Sequence, residues 1–284
     1  MEFPLRPSPI IPLALLLSTS AVAQTPPAEP QPLAIDDRIP AARDIPYPGT
    51  IAIDVDATDT ARAIFRVKQT IPVPGPGPFT LLYPEWLPGN HAPRGPIASI
   101  AGLKVSAGGE PIAWRRDPAD VYAFHVDVPE GVEAIDVEFQ HLSPTESGEG
   151  RIVMTPEMMN VQWEKMTLYP AGYYVRNINV RPSITLPAGW QGATSLDVSK
   201  KSGNRLTYEP VSYETLVDSP MFAGRYFKEI PLAEDVDLNI VADRPSDLAA
   251  TPEQIAAHKR LVEQALKLFG TQHYDEYEFL LGLT

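Results

Sequence analysis

Ala61-Arg62-Ala63-Ile64-Phe65-Arg66-Val67-Lys68-Gln69-Thr70-Ile71 is the stretch that decides the fold class. Ala63, Phe65, Val67 and Ile71 fall on one side of an extended chain, and Arg62, Arg66, Lys68 and Thr70 on the other. Successive side chains of a strand point to opposite faces, so this alternation predicts a strand with one face in a core and one in solvent. The pattern recurs outward from it. Tyr122, Phe124, Val126 and Val128 alternate with His125 and Asp127, and Ile135, Val137 and Phe139 alternate with Asp136 and Glu138. Gly108-Gly109 and Ser202-Gly203 lie between such runs and predict hairpin turns. Further strands are expected over 161–166, 174–186, 206–211, 222–230 and 236–241. Many short strands with no helix among them predict a mainly β chain, an antiparallel sandwich or barrel over residues 50–243.

The composition changes at Asp243-Arg244-Pro245-Ser246-Asp247. Thr251-Pro252-Glu253-Gln254 then signals a helix start, with Thr251 as cap, Pro252 in the first turn and Gln254 closing a capping box. Ile255, Val262, Leu266 and Phe269 make an apolar stripe, and Gly270 supplies the stop. Tyr277, Phe279, Leu281 and Leu283 alternate with Glu278, Leu280 and Gly282, which predicts a strand. A helix stripe and an apolar edge strand both need partners. Two readings follow: residues 247–284 open a second, incomplete domain, or they pack back on the sandwich as a terminal arm.

Residues 1–23 read as an export signal. Arg6 precedes an apolar run from Ile10 to Leu17, and Ala21-Val22-Ala23 gives the small-x-small pattern before Gln24. The run is too short, and too interrupted by Pro12, to span a bilayer. Residues 24–49, with prolines at 26, 27, 30, 32, 40, 46 and 48, form a linker that the prolines keep extended. The chain carries 36 acidic against 23 basic side chains, a net charge of −13. Such a surface repels phosphate backbones and anionic lipid, which argues against nucleic-acid and membrane-surface partners. With no cysteine, neither disulfides nor thiolate zinc sites are available. An export signal without cysteine is consistent with a periplasmic or extracellular protein.

The stretch from Leu81 to Pro96 runs from a short apolar strand into a loop holding Trp86, His91 and four prolines. Prolines remove backbone donors and fix φ, so the loop is neither helix nor central strand. It either carries recognition or merely caps the sandwich with Trp86. Tyr83-Pro84-Glu85-Trp86-Leu87-Pro88-Gly89-Asn90-His91 resembles the N-terminal part of the glycyl aminopeptidases, a family of zinc metallopeptidases. Leu168-Tyr169-Pro170-Ala171-Gly172-Tyr173 and Leu216-Val217-Asp218-Ser219-Pro220 resemble it too. His273-Tyr274-Asp275-Glu276-Tyr277-Glu278-Phe279-Leu280-Leu281 resembles the strand leading into that family's catalytic helix. The resemblance runs from about Ile51 to the last residue.

The resemblance implies an N-terminal β-sandwich that shapes the substrate entrance. It also implies the first helix and strand of an incomplete α+β, thermolysin-like catalytic domain over 247–284. The full-length enzyme it implies binds zinc, takes a peptide substrate, and has this chain's missing catalytic domain as partner. The zinc motif H-E-x-x-H does not occur in the sequence. His91, His125, His141, His258 and His273 include no i, i+4 pair, so no metal ligand and no catalytic residue is assigned in this chain. There is no cysteine nucleophile, no G-x-S-x-G elbow and no phosphate-cradling glycine loop. The expectation is an inactive support domain. Trp86, His91, Glu164 and Asp218 are its candidate substrate-binding residues, the two acids standing near a substrate amino group. The alternative is an exported β-sandwich module that binds peptide or glycan.

Overall fold

The computed structural model describes residues 39–87 and 91–284. The export signal expected over 1–23 lies outside the described residues, as do the linker up to residue 38 and Pro88, Gly89 and Asn90. The last part of the expected linker is docked on the body. The Arg43 N–H donates to the Gly172 carbonyl at 3.1 Å and the Tyr47 N–H to the Asn177 carbonyl at 2.9 Å. The Tyr47 ring is buried, and its hydroxyl donates to the Pro72 carbonyl. One aromatic ring among prolines is enough to anchor the segment, because its burial outweighs the extended bias of its neighbours.

The first eight strands are β1 (Thr50–Asp59), β2 (Ile64–Pro72), β3 (Gly77–Leu82), β4 (Ile100–Ala107), β5 (Glu110–Ile112), β6 (Trp114–Arg116), β7 (Ala123–Val128) and β8 (Ala134–Leu142). Then come β9 (Met158–Val161), β10 (Tyr169–Pro170), β11 (Asn179–Thr185), β12 (Gln191–Ala193), β13 (Val198–Ser202), β14 (Arg205–Tyr208) and β15 (Val211–Ser212). A short helix, α1 (Tyr213–Val217), leads to β16 (Met221–Gly224). The large sheet runs β13-β14-β11-β1-β2-β8-β4-β5, with β15 also on β11. All its pairs are antiparallel except β1 with β11, which are parallel from Thr50↔Asn179 to Asp56↔Thr185. A second sheet has the order β10-β3-β7-β6, and a third the order β12-β16-β9.

The molecule is mainly β, a sandwich whose core is made by the inward alternate residues. Ile51, Ile53 and Val55 of β1, Phe65, Val67 and Ile71 of β2, and Ile135, Val137 and Phe139 of β8 meet Leu81 of β3 and Phe124 and Val126 of β7. The period-two reading of 61–71, 122–128 and 135–139 therefore assigns the buried faces correctly, and Gly108-Gly109 does join β4 to β5, while the β13–β14 turn falls one residue later than expected, at Gly203 and Asn204. Elsewhere local pattern misleads. The strand expected over 161–166 is the end of β9 followed by a 3₁₀ turn, Trp163–Met166, with all four residues buried. Only 179–185 of the expected 174–186 is strand, and α1 was not expected at all. Trp86 does not cap the core, being 61% exposed.

The remaining elements build a second core. β17 (Tyr226–Ala233), β18 (Val236–Ala242), α2 (Pro252–Phe269) and β19 (Tyr277–Leu283) follow in the chain. β18 pairs antiparallel with β17 and parallel with β19, so β18-α2-β19 is a strand–helix–strand crossover. Both capping-box bonds of α2 are present, Gln254 N–H to Thr251 Oγ1 at 3.3 Å and Thr251 N–H to Gln254 Oε1 at 2.8 Å. Gly270 ends the helix at φ 72°, a left-handed conformation that glycine adopts without a Cβ penalty.

Val262 is buried against Ile230, Leu232, Val236, Leu238 and Ile240, with Ile255 beside it. The rest of the expected stripe is not: Phe269 is 67% exposed, and Leu266 is exposed with Leu261 and Leu268. The expected strand 222–230 is two strands in different sheets, divided at Arg225, whose N–H donates to the Glu157 carbonyl at 2.8 Å. Strands β17 and β18, grouped with the sandwich on sequence, thus share a sheet with β19 and a core with α2.

Candidate functional site

Three of the singled-out segments converge on one open cavity of about 650 Å³. Its walls come from the proline-rich loop (Leu87, Arg94, Pro96), the 3₁₀ turn and the residue before it (Gln162, Glu164, Lys165) and the end of α1 with the segment after it (Val217, Asp218, Pro220), with His141 and Arg151 between them. Each wall is held by a specific local device. In the loop, the Arg94 and Gly95 N–H groups both donate to the Glu85 carbonyl, at 2.9 and 3.0 Å. A Cβ at Gly95 would lie 1.9 Å from the Pro84 carbonyl oxygen, so only glycine permits this closure and with it the placement of Arg94. In α1, Ser212 caps the N-terminus by accepting from the Thr215 N–H at 3.0 Å, and the Asp218 N–H donates to the Glu214 carbonyl at 3.3 Å. Asp218 thereby takes the C-cap position.

The 3₁₀ turn is clamped from below. The Gln69 side chain donates to the Leu168 carbonyl at 2.9 Å and accepts from the Leu168 N–H at 2.7 Å, with both residues fully buried. The Thr167 hydroxyl donates to the Trp163 carbonyl at 3.1 Å and lies 2.5 Å from the Tyr213 hydroxyl. These bonds satisfy backbone groups that a buried turn would otherwise leave unpaired, and they fix where Glu164 and Lys165 stand.

Charge and burial set this cavity apart. Glu164 and Lys165 are each 8% exposed. Burial pushes the Glu164 carboxyl above its ordinary range, opposed by a backbone N–H and by the charges of Lys165 and Arg151. Burial pushes the Lys165 ammonium down, opposed by Glu164 and reinforced by Arg151. Burial, with a smaller push from Lys165, brings His141 to about 3, so its ring is neutral at neutral pH. The His141 Nδ1 has no hydrogen-bond partner among the described residues. A cavity of similar size on the outer face of the large sheet differs, because its charges already pair as Arg205 with Asp54 and Lys68 with Glu138.

Of the four residues singled out on sequence, Glu164 and Asp218 line the cavity. Trp86 and His91 are exposed and do not line it, although Leu87 of the same loop does. His141, Lys165 and Arg151 escaped the sequence reading. The one local hint was an adjacent Glu–Lys pair inside the apolar run around Met166.

The histidines do not fit a zinc site. Among the described residues no three His, Asp or Glu side chains are grouped to hold an ion. Both nitrogens of His125 are engaged, Nε2 at 2.8 Å from Asp117 Oδ2 and Nδ1 at 3.0 Å from Thr80 Oγ1. The bond from His125 and the N–H groups of Asp120 and Ala119 hold the Asp117 carboxyl down at about 2. That buried Thr80-His125-Asp117 series ties β3 and β7 to the turn after β6. His258 faces the Gln254 carbonyl on its own helix, and His273 lies against Tyr274.

The model of the peptidase M61 N-terminal domain matches residues 52–225. Among solved structures, the chain is similar to the aminopeptidase N family protein from Idiomarina loihiensis, with a TM-score of 0.68 and 19% identity over 83% of this chain. That likeness is one of fold, and it spans 39% of the Idiomarina chain. An M1 zinc metallopeptidase from Deinococcus radiodurans, bound to a Tyr-Ser-Ala substrate, has a TM-score of 0.47 and 13% identity, covering 85% of this chain and 56% of that one. No curated protein sequence matches the chain.

Proposed function

Because this chain belongs to the peptidase M61 N-terminal domain family, we propose that it is the non-catalytic N-terminal domain of an exported, glycyl-aminopeptidase-like zinc metallopeptidase, shaping the substrate entrance. The observation that carries this reading is the cavity, since all its walls fall inside the matched residues and it gathers three carboxylates, Glu149, Glu164 and Asp218. Glu164 is buried, and a carboxylate with little access to water is a strong acceptor for a peptide's terminal ammonium, because water competes poorly there. In the complete enzyme these residues orient the amino end of the peptide. Zinc, held by residues outside this chain, supplies Lewis-acid activation of water and carbonyl. The second core lies after the matched residues and supports the reading that the start of a catalytic unit follows the N-terminal domain in this chain.

The test uses the purified chain, dialysed and then offered zinc. We expect no stoichiometric zinc and no hydrolysis of glycyl or alanyl anilides. Hydrolysis abolished by a chelator would overturn the reading. Export is tested by the mass of the mature protein from a native-like host, expected to begin at Gln24; an intact Met1 in the cytosol would refute it. The exposed Trp86 ring favours a second reading, a binding module for peptide or glycan, because such rings stack on sugars and peptide bonds. Micromolar glycan binding by the chain, lost in Trp86→Ala, would put that reading first.

A further inference from the structure

The proposed entrance role accounts for the acids of the cavity and leaves its basic side unexplained. Lys165 is more than nine-tenths buried, and Arg151 and His141 line the same cavity, near enough to perturb it or be perturbed by it. Among the described residues, neither Lys165 nor Arg151 makes an ion pair with any carboxylate. The charges of Glu164, Lys165 and Arg151 act on one another, and the wall as a whole sets Arg94, Arg151 and Lys165 against Glu149, Glu164 and Asp218, so both signs of charge face the space. His141 Nδ1 adds an unpaired polar atom on a side chain only 1% exposed, lining the same space. Buried polar atoms are normally satisfied, and an unsatisfied one on a side chain that lines a cavity beside two cations marks the place of a ligand acceptor.

We propose that Lys165, Arg151 and His141 form a carboxylate subsite that takes the free C-terminus of a very short peptide. This deepens the entrance role and rests on it for identifying the ligand as a peptide. The chemistry is specific. A carboxylate has two oxygens with four lone-pair directions, enough to accept from an ammonium, a guanidinium and one imidazole N–H together. His141 in the tautomer with its proton on Nδ1 donates without adding a third positive charge. A bound carboxylate also relieves the mutual repulsion of Lys165 and Arg151. With Asp218 on the wall formed after α1, the cavity offers both signs of charge to a zwitterion. At about 650 Å³ it has room for a dipeptide or tripeptide. The substrate class is then free di- and tripeptides, as distinct from the amino ends of longer chains.

The experiment is calorimetric titration of the chain with glycylglycine, glycylglycine amide and N-acetylglycylglycine. We expect the amide to bind at least about tenfold more weakly than glycylglycine, the loss of one charge-assisted contact. Arg151→Gln, at an exposed position, should weaken glycylglycine by a similar factor and leave the amide unchanged. Lys165→Met should do the same, with circular dichroism confirming its fold. If dipeptide and amide bind equally, the carboxylate subsite is wrong and the entrance role stands. If the acetylated peptide binds as well as glycylglycine while the amide does not, the subsite stands and amino-end recognition falls. If none binds, both fall.

Discussion

Replacing Gln69 by leucine removes the clamp under the 3₁₀ turn without leaving a hole. Gln69 is fully buried on β2, in the inward series with Phe65, Val67 and Ile71, and it spans 99 positions of sequence to bond Leu168 twice. Leucine has a similar volume, so the cavity penalty is small. What changes is that the Leu168 N–H and carbonyl lose their partners in a site with no access to water. An orphaned buried polar group costs roughly 1–3 kcal/mol, so two cost about 2–6 kcal/mol. The apolar side chain gains from burial where the amide was costly to desolvate, which offsets part of this. The expected net loss is about 2–4 kcal/mol, and for a domain of this size about 3 kcal/mol corresponds to a melting shift of roughly 6–12 °C. Urea unfolding followed by tryptophan fluorescence and by circular dichroism measures it, with an unchanged denaturant slope as the sign that stability alone has moved. The same variant should loosen the turn carrying Glu164 and Lys165, so glycylglycine affinity should fall in the fraction that remains folded. A variant within 0.5 kcal/mol of the parent, by that same order-of-magnitude reckoning, would show that water or backbone relaxation satisfies Leu168 and that the clamp is not needed.

Two further outcomes concern the second core. Burial, with the charges of Asp237 and Glu276, raises the Glu278 carboxyl to about 7. A carboxyl raised in the folded state contributes its stability at low pH and loses it as pH climbs from its ordinary value near 4.5 through about 7. The parent should therefore lose thermal stability relative to Glu278→Gln across that window, and parallel curves for the two proteins would refute this. Deleting residues 244–284 uncovers Ile230, Leu238 and Ile240, which α2 and β19 now help to cover. Each side chain so exposed forfeits roughly 1.5–3 kcal/mol. The truncated protein should bind a hydrophobic dye and be cleaved by protease within β17 and β18 while the large sandwich still melts cooperatively. A dye-silent, protease-resistant truncation would mean that β17 and β18 belong to the sandwich core instead.

What the sequence alone determined about this protein is what short-range periodicity and steric preference encode. The alternation through 61–71 and 135–139 assigned buried faces because a strand's side chains must alternate. Thr251, Gln254 and Gly270 bounded α2 because caps satisfy helix-end groups within four residues of themselves. The motif residues marked a likeness to a peptidase N-terminal region, which the match over 52–225 bears out. Only the tertiary structure decided the rest. Gln69 reads as one more polar residue on a strand until Leu168 arrives beside it. Lys165 carries no mark of its own in the sequence until the turn that holds it beside Glu164 is buried. The apolar stripe of α2 does not say which of its members a sheet will cover, and Val262 is buried where Phe269 is not. Arg94, Arg151, Glu164 and Asp218 meet because Gly95, the 3₁₀ turn and α1 are each folded locally and then brought together by strand pairing. Pairing partners such as β1 with β11 lie more than a hundred residues apart, and the free energy that selects them comes from shared burial, which no local spacing records.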